Sequence, residues 1–220
     1  MQTISSDNEL VKLLQRTGSD RHVVSYRFVD LASDLHTLTG GEFADYGFAD
    51  CVFDQIDFSV VQLDSDTFTH CTFNQCNFNR ASFVDCVFDD CRFYDSESEL
   101  PCSFKFTRFN GDSFKQCDLT MCNFSRSNLY RVTLQNCQAT GIDLSQCTAS
   151  HNVGETVVLK EADINDCNLA YADFTGADFS QCNLSSNRFS HCIFDNALLE
   201  DAVLTDCEFH NIEAAGTSIV

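Results

Sequence analysis

The sequence predicts an all-β solenoid preceded by a short helix, and two observations lead to this prediction. A large apolar residue recurs at every fifth position over most of the chain, and 20 of the 21 phenylalanines fall in this frame. A small residue stands two positions before these centres, and all 14 cysteines occupy that slot. A period of five fits neither a helix at about 3.6 residues per turn nor a strand at about two. It fits a solenoid in which each five-residue unit forms one side of a coil.

The frame has three stretches, with centres from Phe43 to Phe93, from Phe104 to Leu134, and from Leu159 to Phe209. We expect each centre to point inward together with the small residue before it, and the other residues of each unit to face solvent. Phe106 is the one phenylalanine outside the frame.

A short helix is predicted before the coils. Ser6-Asp7-Asn8-Glu9 has the pattern of a capping box, and an apolar stripe follows it and ends near Gly18. The stripe consists of Leu10, Val11, Leu13 and Leu14. Such a helix would cover the open first coil and prevent edge-to-edge association. We therefore expect residues 1–25 to form a cap and lead-in, and residues 26–220 to form the solenoid.

Charge and composition limit the function. The chain has 13 Lys and Arg against 33 Asp and Glu, a formal net charge of −20, which excludes a conventional nucleic-acid binder. Its hydrophobic content of 44% is enough for a buried core. No basic and apolar leader is present at the N-terminus, and no run of about 18 apolar residues occurs. We expect a reduced, soluble, cytoplasmic protein without a cofactor.

The cysteines are interpreted as small hydrophobic residues in the inward slot. Zinc sites use C-x₂₋₄-C pairs whose partner ligands converge on the metal, whereas neighbours such as Cys71 and Cys76, five positions apart, would lie on successive sides of a coil. Stacked pairs such as Cys71 and Cys91 could lie within disulfide range, yet parallel side chains in a ladder point the same way. We expect free thiols and no metal.

The repeats, as in CTFNQCNFNR and AYADFTGADF, resemble those of the pentapeptide-repeat family over roughly residues 26–219. The resemblance implies a right-handed quadrilateral β-helix with four repeats per coil. With that geometry the chain supplies about nine coils, and a rise of about 4.8 Å per coil gives a rod about 45 Å long.

Two stretches interrupt the pattern and are predicted to be loops outside the wall. In the first, the step from Phe93 to Phe104 is eleven residues instead of ten. The second keeps the frame but loses the inward pattern. The candidate partner-binding residues are Asp95, Ser96, Glu97, Ser98, Glu99, Leu100 and Pro101 in the first loop, and Ser150, His151, Asn152, Val153, Gly154, Glu155 and Thr156 in the second. Loops on a rigid scaffold often carry function, although such insertions can also be neutral.

The arrangement of two loops separated by uninterrupted coils is similar to that of the Qnr quinolone-resistance proteins. This resemblance implies binding to DNA gyrase and topoisomerase IV, protection of both from quinolones, DNA mimicry, and a role for both loops. The chain departs from the Qnr pattern because its repeats start about two coils earlier and stop about two coils sooner, without the C-terminal segment through which Qnr proteins dimerise. Any homodimer is expected to use the uncovered C-terminal coil, with Ile212, Ile219 and Val220 at its rim.

Acidic residues concentrate toward both ends of the chain. Between Arg27 and Arg80 there are nine acids and no Lys or Arg, and Asp50, Asp54 and Asp57 are our candidate acidic face. Outward slots also simply need polar residues, so the charge alone does not decide between a DNA mimic and a solvated surface. The six histidines have no Ser, Cys or Asp companions at recognisable spacing, and no nucleotide-binding motif occurs, so we expect no catalytic site. The alternative function is a generic protein-binding scaffold or effector with another partner.

Overall fold

The computed structural model describes residues 1–16, 21–29, 31, 42–154 and 156–219. Gly18, Glu155 and Val220, and the side chains of Leu14 and Phe43, lie outside this description. Within it, short strands stack in parallel ladders, and a single helix, α1 (Asp7–Arg16), precedes most of them. No helix in these ranges is long and apolar enough to cross a membrane.

The parallel strands form the walls of a four-sided β-helix. The wall that we call face 1 contains β1 (Gln2–Ile4), β3 (Tyr26–Val29), β6 (Val52–Asp54), β9 (Thr72–Asn74), β21 (Arg188–Ser190) and β22 (Glu208–His210). Face 3 contains β4 (Glu42–Ala44), β7 (Gln62–Asp64), β10 (Ser82–Val84), β14 (Arg108–Asn110) and β16 (Asn128–Tyr130). Face 4 contains β2 (His22–Val24), β5 (Gly47–Ala49), β8 (Thr67–Thr69), β11 (Val87–Asp89), β15 (Ser113–Lys115), β17 (Thr133–Gln135) and β20 (Asp163–Asn165). Face 2 is held by single parallel bridges, from Asp57–Asn77 through Ile193–Glu213.

The centres of the five-residue units point inward, as the period predicts, and form the four columns that the family resemblance implies. In the middle of the rod they are fully buried, among them Phe73, Phe78, Phe83 and Phe88 on four successive walls. Rings in one column stack: the centroids of Phe53 and Phe73 are 4.8 Å apart, and those of Phe104 and Phe124 are 4.5 Å apart. Neighbouring columns meet edge to face, as Phe68 and Phe73 do at 66°. The core is therefore an aromatic stack along the axis.

Most corners are turned by residues other than glycine. The second residue after a centre has a left-handed backbone, as at Asp50, Gln55 and Arg80, with φ of 52°, 54° and 62°. This region is disfavoured for residues with a Cβ atom, but at most corners the backbone N–H donates to a carbonyl of the following coil. The N–H of Asp50 donates to the carbonyl of Thr69 at 3.0 Å, and that of Gln55 to the carbonyl of Asn74 at 2.8 Å. The ladder therefore holds the turns, which is why a chain with only nine glycines and one proline can bend so often.

The cysteines fill the inward slot, and all 14 are free. Thirteen are buried and Cys207 is half-buried. On the inner side of face 1, the cysteines form a column in which each thiol donates to a backbone carbonyl of an earlier coil. Cys71 Sγ, for example, lies 3.4 Å from the carbonyl oxygen of Phe48. Asn187 takes the slot between Cys167 and Cys207, where its side-chain amide donates to the carbonyls of Ile164 and Leu184. The packing interpretation of the cysteines is thus confirmed.

The N-terminal helix covers the end of the core, as predicted. Its Leu10 is buried beside Phe28 and Phe48, and the backbone N–H of Ser5 donates to the Glu9 carboxylate at 3.1 Å. The sequence did not predict the strand before the helix. This strand, β1, pairs in parallel with β3, from Gln2↔Tyr26 to Ile4↔Phe28. Strands β1 and β2 therefore extend the ladder into residues 1–25, which the sequence assigned to the cap alone. Residues 1–25 contain too few five-residue units for the period to be recognised in the sequence.

The C-terminal coil has no such cover among the described residues. Phe189 is fully buried, whereas Phe209, one coil further in the same column, is 51% exposed. Ile219 is also exposed, and Ile212 is half-buried. Among the described residues, the apolar core is therefore more exposed in the last coil than in the coil before it.

Candidate functional site

The first interruption is a small β-hairpin. Strands β12 (Tyr94–Asp95) and β13 (Leu100–Pro101) pair antiparallel, and the N–H of Cys102 donates to the carbonyl of Phe93 at 2.8 Å to close the base. Pairing between coils shifts from 20 residues (Ser82↔Gln62) to 26 residues (Arg108↔Ser82) across it. Phe93 and Phe104 are thus consecutive centres, and the hairpin is a six-residue insertion. The sequence suggested a slip of one residue because six exceeds the period by one.

Asp95 organises this hairpin. Its carboxylate accepts from Ser98 Oγ at 2.5 Å and from the Glu97 N–H at 3.0 Å, and Gln75 Nε2 on the wall reaches it at 3.5 Å. The hydrogen bonds from Ser98 and Glu97 hold the pKa of Asp95 below its ordinary value. Ser96, Glu97, Ser98, Glu99 and Leu100 are exposed and Pro101 is half-buried. The hairpin therefore presents acidic and hydroxyl groups on a fixed turn.

The second interruption is a longer hairpin. Strands β18 (Ser150–Val153) and β19 (Val157–Lys160) pair antiparallel, and Gly154 turns the chain between them with a φ of 69°. Pairing across it shifts to 30 residues, as in Thr133↔Asp163. The insertion is therefore ten residues long, two whole periods, which is why the sequence kept its frame.

The predicted second loop, residues 150–156, covers only part of this hairpin. Leu159, expected as an inward centre, is 44% exposed, and the core resumes at Ala162 and Ile164. Val157 and Val158 are exposed too, so the functional candidates extend to Lys160. The sequence did contain a signal for this longer hairpin: the apolar run Val157-Val158-Leu159 follows Gly154, a residue typical of turns. The uninterrupted five-residue frame concealed it.

Two contacts fix the second hairpin to the wall on opposite sides. His151 stacks on Tyr130 of the preceding coil, with centroids 5.2 Å apart, and Lys160 Nζ lies 2.7 Å from Asp178 of the following coil. Burial raises the pKa of Asp178, but hydrogen bonds from Lys160 and Ser180 outweigh burial and keep that pKa below its ordinary value. In the antiparallel register, His151, Val153, Val157 and Leu159 share one side of the hairpin. Val153, Val157 and Leu159 on this side form what we call the apolar strip, which projects from the rod.

The two hairpins are not brought together. The first leaves the corner between faces 1 and 2, after Phe93, and the second leaves the corner between faces 3 and 4, after Ala149. These corners are diagonally opposite. The hairpins also lie two coils apart, about 10 Å along the axis. One flat partner surface cannot lie against both, so simultaneous contact requires a partner that wraps around the rod.

The three acids proposed as one face lie on different parts of the surface. Asp50 is at the corner between faces 4 and 1, Asp54 is on face 1, and Asp57 is on face 2. Asp54 is paired with Arg27 and accepts from Asn74 Nδ2 at 2.7 Å. Asp54 and Asp57 come four and seven residues after Asp50, so the three acids belong to three successive five-residue units. They therefore cannot share one wall, and the predicted acidic face is wrong as a single surface. At the corner, His70 lies between Asp50 and Asp90, at 3.8 and 3.6 Å.

Asp66, one of the nine acids between Arg27 and Arg80, and Asp112 are fully buried in inward slots of face 4. Asp66 Oδ1 accepts from the Tyr46 N–H at 2.8 Å, and Asp112 accepts from the N–H groups of Cys86 and Asn110, both at 2.8 Å. Burial raises the pKa of Asp66 to about 7 and that of Asp112 to about 6. Their position two residues before a centre was the available signal. Within the described ranges, no three His, Cys, Asp or Glu side chains group to hold a metal ion.

The five-residue repeats match a known protein family. The sequence pattern described as pentapeptide repeats matches in eight copies, over residues 67–96, 113–146, 157–185 and 182–217. The chain belongs to the pentapeptide-repeat family. Its right-handed quadrilateral β-helix is the family fold, and the matched ranges break off inside each hairpin, after residue 96 and before residue 157. No curated protein sequence matches the chain.

Several solved pentapeptide-repeat structures are similar. QnrB1, a plasmid-mediated fluoroquinolone resistance protein, has 23% identity over 82% of this chain and 94% of its own, with a TM-score of 0.48. HetL, involved in heterocyst differentiation regulation in the cyanobacterium Nostoc, has 14% identity over 92% of both chains and a TM-score of 0.35. A pentapeptide-repeat protein of the Arabidopsis thaliana thylakoid lumen has 18% identity over 67% of this chain and 71% of its own, with a TM-score of 0.25. These likenesses concern the fold.

Proposed function

We propose that this pentapeptide-repeat protein acts in the cytoplasm as a DNA mimic that binds DNA gyrase or topoisomerase IV and protects the enzyme from quinolones. The observation behind the proposal is that two structured hairpins project from a regular rod with a formal net charge of −20. The loop arrangement in the sequence, similar to that of Qnr proteins, suggests the partner. We assign no catalytic role to any residue.

Shape and charge support this proposal together. A DNA-binding groove is lined with cations that expect phosphates at regular spacing, and a straight rod with acids along its corners and walls can occupy it. Asp50 and Asp90 on one corner, and Asp57 and Asp143 on face 2, are available for this role. Asp54 is already neutralised by Arg27 and contributes less.

The hairpins give the rod two specific contacts. The first offers carboxylates and hydroxyls at Asp95–Glu99, and the second offers the apolar strip of Val153, Val157 and Leu159. We propose that the apolar strip supplies most of the binding free energy, because burying it removes three half-exposed aliphatic side chains from water. The acids supply orientation and the association rate.

The test is gyrase supercoiling in the presence of a quinolone, with two deletions designed from the register. Removing residues 151–160 takes out ten residues, and removing 96–101 takes out six, so each deletion restores the 20-residue pairing of coils. We expect the first deletion to abolish protection and the second to weaken it, while circular dichroism and the melting temperature stay close to those of the intact chain. Binding should also weaken as salt is added.

Failure of the intact chain to bind either topoisomerase at low salt, or full protection by both deletion variants, would rule the proposal out. The alternative is then a protein-binding scaffold with another partner. The exposed apolar strip of the second hairpin favours this alternative more than the acids do, because phosphate mimicry does not need it. Capture of a bacterial protein that depends on residues 151–160 but is not displaced by DNA would support the scaffold.

A further inference from the structure

The corner between faces 2 and 3 carries an exposed aromatic residue that folding does not explain. Successive coils place Val60, Arg80, Phe106, Arg126 and Gln146 at this corner, all with left-handed backbone. Phe106 is 44% exposed, with a φ of 59°. A bulky side chain is disfavoured in this backbone region, and exposure of its ring adds no core packing. The one phenylalanine outside the frame is therefore costly for the fold where it stands.

The charge around Phe106 is opposite to that of the whole protein. The guanidinium carbons of Arg80 and Arg126 lie 5.9 and 5.6 Å from the centre of its ring, and Lys105 is the preceding residue. Among the described residues, none of these three cations has a carboxylate within 4.0 Å. The cations are thus available to a partner.

The wall on both sides of this corner contains no acid over three coils. Face 3 adds a fourth cation, Arg108. The flanking positions are Asn77, Asn79, Ser103, Lys105, Asn123 and Ser125 on face 2, and Ser82, Val84, Arg108, Asn110, Asn128 and Tyr130 on face 3. We call the set Arg80, Lys105, Phe106, Arg108 and Arg126 the basic edge.

The length of the basic edge limits what it can bind. From the coil of Arg80 to that of Arg126 is about 10 Å, and beyond it face 2 becomes acidic again, with Asp57 at one end and Asp143 at the other. A long polyanion such as duplex DNA would run over these acids and be repelled. A short segment with two or three carboxylates would not.

The edge also has an apolar component. A shallow groove lined by Ser59, Val60, Asn79, Arg80, Lys105 and Phe106 lies beside the ring, and Val60 is exposed in it. We propose that the basic edge binds a short acidic peptide segment of a partner protein, with its carboxylates on Arg80, Lys105 and Arg126 and an aliphatic or aromatic side chain against Phe106. This surface is separate from both hairpins.

The test uses fluorescence anisotropy with a labelled peptide pool in which Asp or Glu alternates with Leu, Phe or Ser. The variant Arg80→Gln with Arg126→Gln removes two positive charges from the edge. The matched control, Lys115→Gln with Arg188→Gln, removes two positive charges from faces 4 and 1 and gives the same net charge. We expect the edge variant to bind at least about tenfold more weakly and the control to change binding by less than about twofold.

Phe106→Asn provides a second measurement, because asparagine accepts the left-handed corner and leaves every charge in place. It should weaken binding of pool members that contain Leu or Phe, and leave those containing only Ser unchanged. A second probe, labelled duplex DNA, should not bind. Equal losses in the edge variant and its control, tight DNA binding that depends on Arg80 and Arg126, or no saturable peptide binding would each overturn the proposal.

Discussion

The rings of Phe73 and Phe93 lie parallel, one coil apart, with their centroids separated by 4.7 Å. Both are fully buried, and each also meets rings of the neighbouring columns edge to face. Replacing Phe73 by alanine should lower the free energy of unfolding by about 3–5 kcal/mol, because it removes a ring from a packed stack. Phe106→Ala is the matched control and should cost less than about 1 kcal/mol, since that ring is on the surface. Chemical denaturation of both variants measures the difference, and similar costs would contradict the inward assignment.

The buried acids predict how stability depends on pH. The folded state raises the pKa of Asp66 from 3.8 to about 7 and that of Asp112 to about 6, so it holds these protons more tightly than the unfolded chain. Their contribution is fully present below pH about 4 and is lost as the pH rises to about 7. The free energy of unfolding should therefore fall across this window, by an amount on the order of 7 kcal/mol for the two groups together, because each pKa unit corresponds to about 1.4 kcal/mol.

Asp66→Asn tests the source of that pH dependence. Its amide oxygen can still accept from the Tyr46 N–H, but it cannot ionise. The variant should be more stable than the original chain at pH 8 and lose less stability between pH 4 and 7. Asp201→Asn, which removes an exposed acid at the other end of the rod, is the control. Identical profiles for all three chains would show that Asp66 does not titrate in this range.

The thiols should react in an order set by burial. Burial raises the pKa of Cys122 well above its ordinary value and that of Cys147 to about 12, so neither forms the reactive thiolate near neutral pH. Cys207 is the half-buried one. A thiol reagent should label Cys207 first in the native protein and all 14 only after denaturation, and a chelator should leave the circular dichroism unchanged. Loss of structure on chelation would disprove the packing role.

Self-association, where it occurs, should use the C-terminal coil. Phe209 and Ile219 expose apolar surface there, while α1 covers the opposite end. Phe209→Glu should shift sedimentation toward the monomer, because two like charges would face each other across the interface. Val60→Glu, an equally apolar exposed site on the side of the rod, is the control. A dimer that survives Phe209→Glu but dissociates when residues 1–16 are removed would place the interface at the other end.

The period of five was enough to predict a solenoid with inward cysteines, and the capping box with its apolar stripe predicted the covering helix, because each follows from local sequence pattern. The number of sides came from the resemblance to the pentapeptide-repeat family. The pattern could not show the size of the insertions, because an insertion shifts the five-residue frame only by what is left after whole units of five are removed. Six inserted residues therefore shift the frame by one, and ten do not shift it at all. Leu159 was misplaced for this reason. Asp50, Asp54 and Asp57 belong to three successive five-residue units, so the pattern itself separates them, and grouping them by closeness in sequence was wrong.

Asn187 has a consequence for how the chain finds its fold. Repeats of such similar sequence could pair with the chain slipped by one or two residues. Asn187 would then leave the inward slot and lose the carbonyls of Ile164 and Leu184 and the Cys167 N–H that donates to it at 2.9 Å. Asp66 and Asp112 would likewise lose their backbone donors. These few polar residues are hydrogen-bonded only in the inward register, so they oppose slippage of the chain within a coil.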